Sequence, residues 1–224
     1  FIELILSDSP SHSQSMAMVG ADYIRASGTA YDGSSTILGI CDTGFMLGNA
    51  AATPHSDLGR WGCGKNFTTD AAGVWNDEDT HGSHVLGTIL GQGVGNIVNR
   101  GVALGIAGSA STSLRAAKIW DSTGSSPSSS WMTSAMDYMD DSSDCSGDST
   151  RPMVVNISGG AYGGSALSGT DTRSRKLDGK VWTYDQLYVM AAGNDGSGSR
   201  TVGAPAVAKN ALAVGNVMDY NVYT

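Results

Sequence analysis

The sequence predicts an α/β fold, a doubly wound, mainly parallel sheet with helices on both faces. Short apolar runs alternate along the chain with segments whose apolar residues recur at helical spacing, an order typical of strand–helix–strand units. The apolar runs are continuous rather than alternating, which indicates strands covered on both faces. Because no internal repeat and no interdomain linker interrupts this pattern, residues 1–224 are interpreted as a single domain.

The first part of the chain contains one predicted helix and one predicted strand. Apolar residues near helical spacing predict a helix over 15–27. The run TILGIC predicts a buried strand over 36–41, which stops at the turn signal Asp42-Thr43-Gly44. Residues 45–79 include a Gly-rich stretch and Pro54, so this segment is expected to be loop.

The rest of the chain alternates between helix and strand patterns. The apolar pairs Val85-Leu86 and Ile89-Leu90 lie on one face of a buried helix predicted over 82–92. The same criteria predict, in order, a strand over 113–120, a helix over 129–140 with Trp131, Met132, Ala135, Met136 and Met139 inward, a strand over 153–157, a helix near 173–181, and strands over 187–191 and 211–215.

Composition excludes several classes of function. The formal net charge is -8, so the chain lacks the basic surplus that phosphate binding requires, and no nucleic-acid partner is expected. No window approaches 18 uninterrupted apolar residues, so no membrane span is expected. Three cysteines, Cys41, Cys63 and Cys145, can close one disulfide at most, and their spacing matches no zinc motif.

Candidate chemistry lies where ligands bind open α/β sheets, beyond the carboxyl ends of the strands. Asp42 follows the first strand and could orient a histidine, or it could simply cap a turn. His81 begins the second helix and could act as a general base. Asn194 follows the strand over 187–191 and could donate a hydrogen bond to an oxyanion, or it could be a turn residue.

Two other features have competing interpretations. Ser158-Gly159-Gly160 follows a strand and leaves a bare edge that an extended peptide could pair with, although a plain Gly-rich turn fits equally. Acidic residues and histidines crowd around His81, but the spacing fits neither the His-Glu-x-x-His zinc pattern nor a complete calcium loop. No Gly-x-Gly-x-x-Gly turn follows the first strand, which disfavours a dinucleotide-binding protein.

Taken together, the chain resembles the subtilisin-like serine proteases. Three segments occur in the family's order and at the expected places, namely Asp42-Thr43-Gly44, His81-Gly82-Ser83-His84-Val85 and Ala191-Ala192-Gly193-Asn194. The resemblance implies a secreted, extracellular endopeptidase that cleaves polypeptides with an Asp-His-Ser triad and needs no cofactor. It also allows structural Ca²⁺, for which it assigns no ligands here; the acidic stretch 140–148 is interpreted as a solvated turn.

The resemblance also implies roles for individual residues. Asp42 corresponds to the acid that orients the histidine, His81 to the general base and Asn194 to the oxyanion donor. The edge that pairs with the substrate backbone corresponds to Ser158, Gly159 and Gly160. The wall of the pocket for the residue before the cleaved bond corresponds to Ala191, Ala192 and Gly193.

One departure from the family is large. The nucleophile segment Gly-Thr-Ser-Met-Ala is absent, and Ser134, in a superficially similar context, lies on a predicted amphipathic helix. Cys41 is expected to turn away from Asp42 and is not a replacement nucleophile. The chain is therefore expected to be a C-terminally truncated catalytic domain, with the serine beyond Thr224 or on a separate chain. The alternative is an inactive, subtilase-derived peptide-binding or assembly module.

Overall fold

The protein is described by a computed structural model in residues 12–26, 31–46, 55–58, 63–71, 75–108, 114–123, 127–141, 151–161 and 168–216. Six strands and six α-helices are assigned in these ranges. In chain order they are α1 His12–Met18, α2 Ala21–Ala26, β1 Leu38–Asp42, β2 Gly64–Asn66, α3 His81–Leu90, α4 Leu104–Gly108, β3 Leu114–Lys118, α5 Ser129–Asp140, β4 Val154–Ile157, α6 Thr172–Tyr184, β5 Leu187–Ala191 and β6 Leu212–Val214; a 3₁₀ turn at Ile97–Asn99 precedes α4.

The strands form one parallel sheet in the order β2-β3-β1-β4-β5-β6. β1 lies between β3 and β4, with Cys41 opposite both Ala117 and Ile157. All carboxyl ends therefore meet at one edge of the sheet. This architecture confirms the predicted α/β class with a mainly parallel sheet.

The sheet is covered on both faces because side chains alternate along each strand. In β1, Leu38 and Ile40 pack with Leu86 of α3, whereas Cys41 packs in a second cluster that contains Met136 of α5. Four of the five residues expected inward on α5 are buried, and Trp131 is half-buried. Asp42 follows Ile40 by two positions, so its side chain lies on the α3 face.

Three parts of the fold differ from the sequence prediction. The helix expected over 15–27 is divided into α1 and α2, because Gly20 between them has a φ of 75°. The short strand β2 lies in the segment expected to be loop, and the 3₁₀ turn and α4 had no predicted counterpart. β2 has no apolar pattern of its own, and its pairing with β3 defines it.

Gly64 of β2 gives a test of the packing. A Cβ atom at this position would lie 2.5 Å from the buried Trp75 ring, whereas a Cβ at Gly87 of α3 would meet nothing within 4 Å. We expect Gly64→Ala to lower the free energy of unfolding by about 1–3 kcal/mol. The matched change Gly87→Ala should raise it by about 0.5–1 kcal/mol. Urea unfolding measures both, and equal effects would contradict this packing.

Candidate active site

Asp42 is a buried carboxylate at the carboxyl end of β1. It is the last residue of that strand, not the first residue after it, and its exposed fraction is 0%. The backbone N–H of Thr43 donates to its Oδ1 at 2.7 Å. Its Oδ2 is buried and has no hydrogen-bond partner among the described residues. Burying such a group is costly unless donors compensate.

His81 provides the main compensation for Asp42. It is the first residue of α3, and its Nδ1 lies 2.7 Å from Asp42 Oδ1. The next residue, Gly82, permits this approach, since a Cβ there would lie 2.2 Å from the carbonyl oxygen of Gly44. The structure thus brings together two of the three residues expected to be catalytic. The His81 side chain remains 19% exposed, so it is accessible from solvent.

The Asp42–His81 contact has a defined effect on proton affinity. The hydrogen bond that His81 makes to Asp42 raises the pKa of His81, and burial of the ring opposes this shift. Burial raises the pKa of Asp42, while the hydrogen bonds from His81 and Thr43 lower it. When Nδ1–H donates to the carboxylate, Nε2 carries the lone pair of the neutral ring. The pair is therefore suited to accept a proton at Nε2 and to stabilise the imidazolium.

A second group of predicted residues lines a cavity of about 230 Å³ at the ends of β4, β5 and β6. Ser158, Ala191, Ala192, Gly193 and Asn194 all lie on its wall, and no charged side chain is among its described lining residues. No sequence motif indicated the remaining lining residues, which are Asn156, Val189, Met190, Val214, Gly215 and Asn216. The last three come from β6 and the residues after it, and only the strand order could reveal that they adjoin β5.

Gly159 and Gly160 are buried beside this cavity and do not line it. A Cβ at Gly159 would lie 2.3 Å from the ring of Trp120, so a glycine is required for this contact. The next residue, Ala161, forms an antiparallel bridge with Ala204. The segment 158–160, predicted as an edge, therefore contributes Ser158 to the cavity lining, while Gly159 and Gly160 are buried outside that lining.

One of the acidic residues near His81, Asp77, is a hydrogen-bond acceptor for the start of α3. Asp77 accepts hydrogen bonds from Thr43, Thr80 and Ser83. Within the described ranges, no group of three or more metal-ligating side chains is arranged to hold an ion. Of the acidic stretch 140–148, Asp140 pairs with Lys180, and residues 142–148 lie outside the described residues.

The two described cysteines and Ser134 have no place in the site. Cys41 is a buried free thiol, and burial raises its pKa far above the ordinary value. Cys63 is in a disulfide bond. Ser134 lies on the exposed side of α5.

A buried lysine, which the sequence patterns did not indicate, lies beside Asp42 in the sheet. Lys118 is opposite Asp42 in the sheet and is 1% exposed; its Nζ lies 2.7 Å from Asp70 Oδ2 and 3.0 Å from the carbonyl oxygen of Asn76. In the sequence, only its position at the end of an apolar strand could have indicated that Lys118 is buried here.

The fold and this geometry define the class of protein. A model of the subtilase family, peptidase S8, matches residues 33–223, so the chain belongs to that family. Subtilases are peptidases, so membership of this family indicates, at the level of the family, a protease. In the described part of the chain, no helix has the length and apolarity needed to cross a membrane.

Particular relatives include two bacterial subtilisins. The chain is 32% identical to subtilisin amylosacchariticus of Bacillus subtilis subsp. amylosacchariticus over 196 residues, which cover 85% of this chain and 43% of the relative. It is 31% identical to subtilisin of Bacillus pumilus, of which it covers 60%. The chain therefore spans between about two fifths and three fifths of the length of these curated relatives.

Solved structures share the fold. The CspB protease of Clostridium perfringens aligns with a TM-score of 0.59 and 21% identity, over 79% of this chain and 39% of that structure. The prenylagaramide maturation protease PagA aligns with a TM-score of 0.56 and 20% identity, over 89% of this chain and 59% of that structure.

The Asp42–His81 contact predicts the titration of His81. Nuclear magnetic resonance of the ring protons should give a pKa above the ordinary value of about 6.5, and Asp42→Asn should lower it. Because the folded-state pKa is raised, His81 contributes stability that is fully present below about pH 6.5 and is lost as the pH rises through the folded-state pKa. A His81 pKa that Asp42→Asn leaves unchanged would contradict the contact.

Proposed function

We propose that this chain is the N-terminal and central part of the catalytic domain of a serine endopeptidase. His81 is the general base, Asp42 orients it, and the nucleophilic serine lies beyond Thr224 or on a separate chain. The observation that carries this proposal is the 2.7 Å contact between His81 Nδ1 and the buried Asp42 Oδ1. Family membership supports it independently.

In the proposed reaction the serine hydroxyl attacks a peptide carbonyl. His81 Nε2 takes the hydroxyl proton, and Asp42 stabilises the resulting imidazolium. His81 then gives the proton to the leaving amine, and a water molecule hydrolyses the acyl-enzyme by the same route. The chemistry needs no cofactor, and we propose no Ca²⁺ ligands.

Asn194 is proposed as an oxyanion donor. It is exposed, lines the cavity and directly follows Gly193, whose φ of 115° favours glycine. An amide at this place could donate to the carbonyl oxygen as charge develops on it. Loss of such a donor in a subtilisin costs about 10²–10³ in kcat, or about 2.7–4 kcal/mol.

The cavity supports an apolar substrate residue before the cleaved bond. Its lining includes the small residues Ala191, Ala192 and Gly193, together with Ser158. No charged side chain is among the described lining residues, so nothing there compensates a buried substrate charge. We propose that the backbone at 158–160 guides the extended substrate into this cavity.

We further propose that the protein acts outside the cell. The family resemblance implies secretion, and Cys63 is disulfide-bonded. Disulfides persist mainly in oxidising compartments. The partner of this chain is its polypeptide substrate, together with the serine-bearing segment if that segment is a separate chain.

The test extends the chain by the coding sequence downstream of Thr224. We expect the extended protein to hydrolyse a chromogenic peptide with an apolar residue before the cleaved bond, and to be labelled by a fluorophosphonate. His81→Ala should abolish both activities, because the serine then lacks its base. His84→Ala, three residues further along α3 and exposed, is the matched control and should keep them.

Two outcomes would overturn the proposal. One is labelling of the 224-residue chain by itself, which would place the nucleophile within it. The other is an extended protein that binds peptides but neither hydrolyses them nor reacts with the fluorophosphonate. That result would favour the peptide-binding module.

A further inference from the structure

The start of α3 is held by Asp77, which shortly precedes it, and by Thr43, which is distant in the sequence. Thr80, at the N-cap position, has a φ of 79°, and its side chain makes no capping hydrogen bond. The first backbone N–H groups of a helix have no partner inside it, so other groups must accept from them. Here Asp77 accepts from Thr80 N at 2.9 Å and from Ser83 N at 2.7 Å.

Thr43 accepts from the helix residue between these two. The N–H of Gly82 donates to Thr43 Oγ1 at 2.9 Å, and Thr43 Oγ1 in turn donates to Asp77 Oδ1 at 2.8 Å. Thr43 is 8% exposed and directly follows Asp42. One hydroxyl therefore joins the turn after β1, the carboxylate of Asp77 and the first turn of α3.

A second hydrogen bond joins the segment after β1 to the first turn of α3. The N–H of Met46 donates to Ser83 Oγ at 2.8 Å. The segment 43–46 thus holds both residues that follow His81 in α3. These bonds lie on the carboxyl side of Asp42 and of His81, so they fix the positions from which the two side chains reach each other.

The cap of α6 shows what an ordinary helix start needs. Asp171 precedes that helix and accepts from Arg173 N at 3.0 Å and Ser174 N at 3.2 Å, all within four residues. Such a local cap satisfies the first N–H groups of the helix without fixing the helix to another element. At the start of α3, by contrast, the two acceptors Thr43 and Asp77 are separated by 34 positions in the sequence. Capping by itself does not require so large a separation.

We propose that Thr43 and Asp77 are positioning residues that fix the first turn of α3 against the end of β1 and thereby set the Asp42–His81 contact. The inference rests on the proposed role of His81 as general base. Neither residue touches the substrate; each acts through the orientation of the imidazole. A displacement of about 1 Å in such a constellation can cost about 10²-fold in rate.

The test compares Thr43→Val with Thr43→Ser. Valine keeps the shape but removes the hydroxyl, so Gly82 N–H loses its acceptor and Asp77 loses a donor; serine keeps the hydroxyl. We expect Thr43→Val to lower the His81 pKa towards its ordinary value, measured by nuclear magnetic resonance on the 224-residue chain. Thr43→Ser should preserve it. In the extended enzyme, Thr43→Val should reduce kcat by about 10²-fold and leave KM nearly unchanged.

Two controls separate positioning from charge and from stability. Asp77→Asn should lower the His81 pKa more than Asp79→Asn, because Asp79 is exposed and its charge raises that pKa without holding the helix. Asp77→Asn also serves if Thr43→Val does not fold. Asp171→Ala removes the side-chain cap of α6 and should leave the His81 pKa unchanged.

The proposal is overturned if Thr43→Val folds and leaves both the His81 pKa and kcat at their wild-type values. It is also overturned if Asp79→Asn lowers the pKa as much as Asp77→Asn. Its failure is distinguishable from failure of the proposed function. An extended protein without hydrolytic activity, but with a His81 pKa that responds to Thr43→Val, would refute the proteolytic role and support the positioning role.

Discussion

The buried carboxylate of Asp42 is the constraint on which the rest of the site depends. A carboxylate with no exposed surface is tolerated only where donors compensate for its lost hydration. Two donors converge on its Oδ1, one from the neighbouring backbone N–H and one from His81. The carboxylate thereby specifies where α3 must begin, and the absence of a side chain at Gly82 lets the helix come that close.

The parallel sheet gathers the remaining parts of the site. Alternation along β1 directs Ile40 and Asp42 towards α3, while Cys41 enters the opposite core. Because all strands run in the same direction, the ends of β4, β5 and β6 lie at the same edge as Asp42, and they line the cavity. One sheet therefore positions both the Asp42–His81 pair and the cavity.

Sequence patterns predicted most of this architecture because its strands and long helices have strong apolar periodicities. They failed where structure depends on partners distant in the chain. β2 consists of Gly, Lys and Asn, and only its pairing with β3 makes it a strand. The motifs indicated Asp42 and His81, and the structure shows them in contact. The capping role of Asp77 required knowledge of Thr43 and of the left-handed Thr80, which no local pattern contains.

Detection of the proton between His81 and Asp42 tests the role of the buried carboxylate most directly. In ¹⁵N-labelled protein, we expect a low-field proton resonance coupled to His81 Nδ1, and its loss in Asp42→Asn. A Nδ1 proton at an ordinary, solvent-exchanging position, or a low-field resonance that persists in Asp42→Asn, would contradict the claim that the buried carboxylate organises the site.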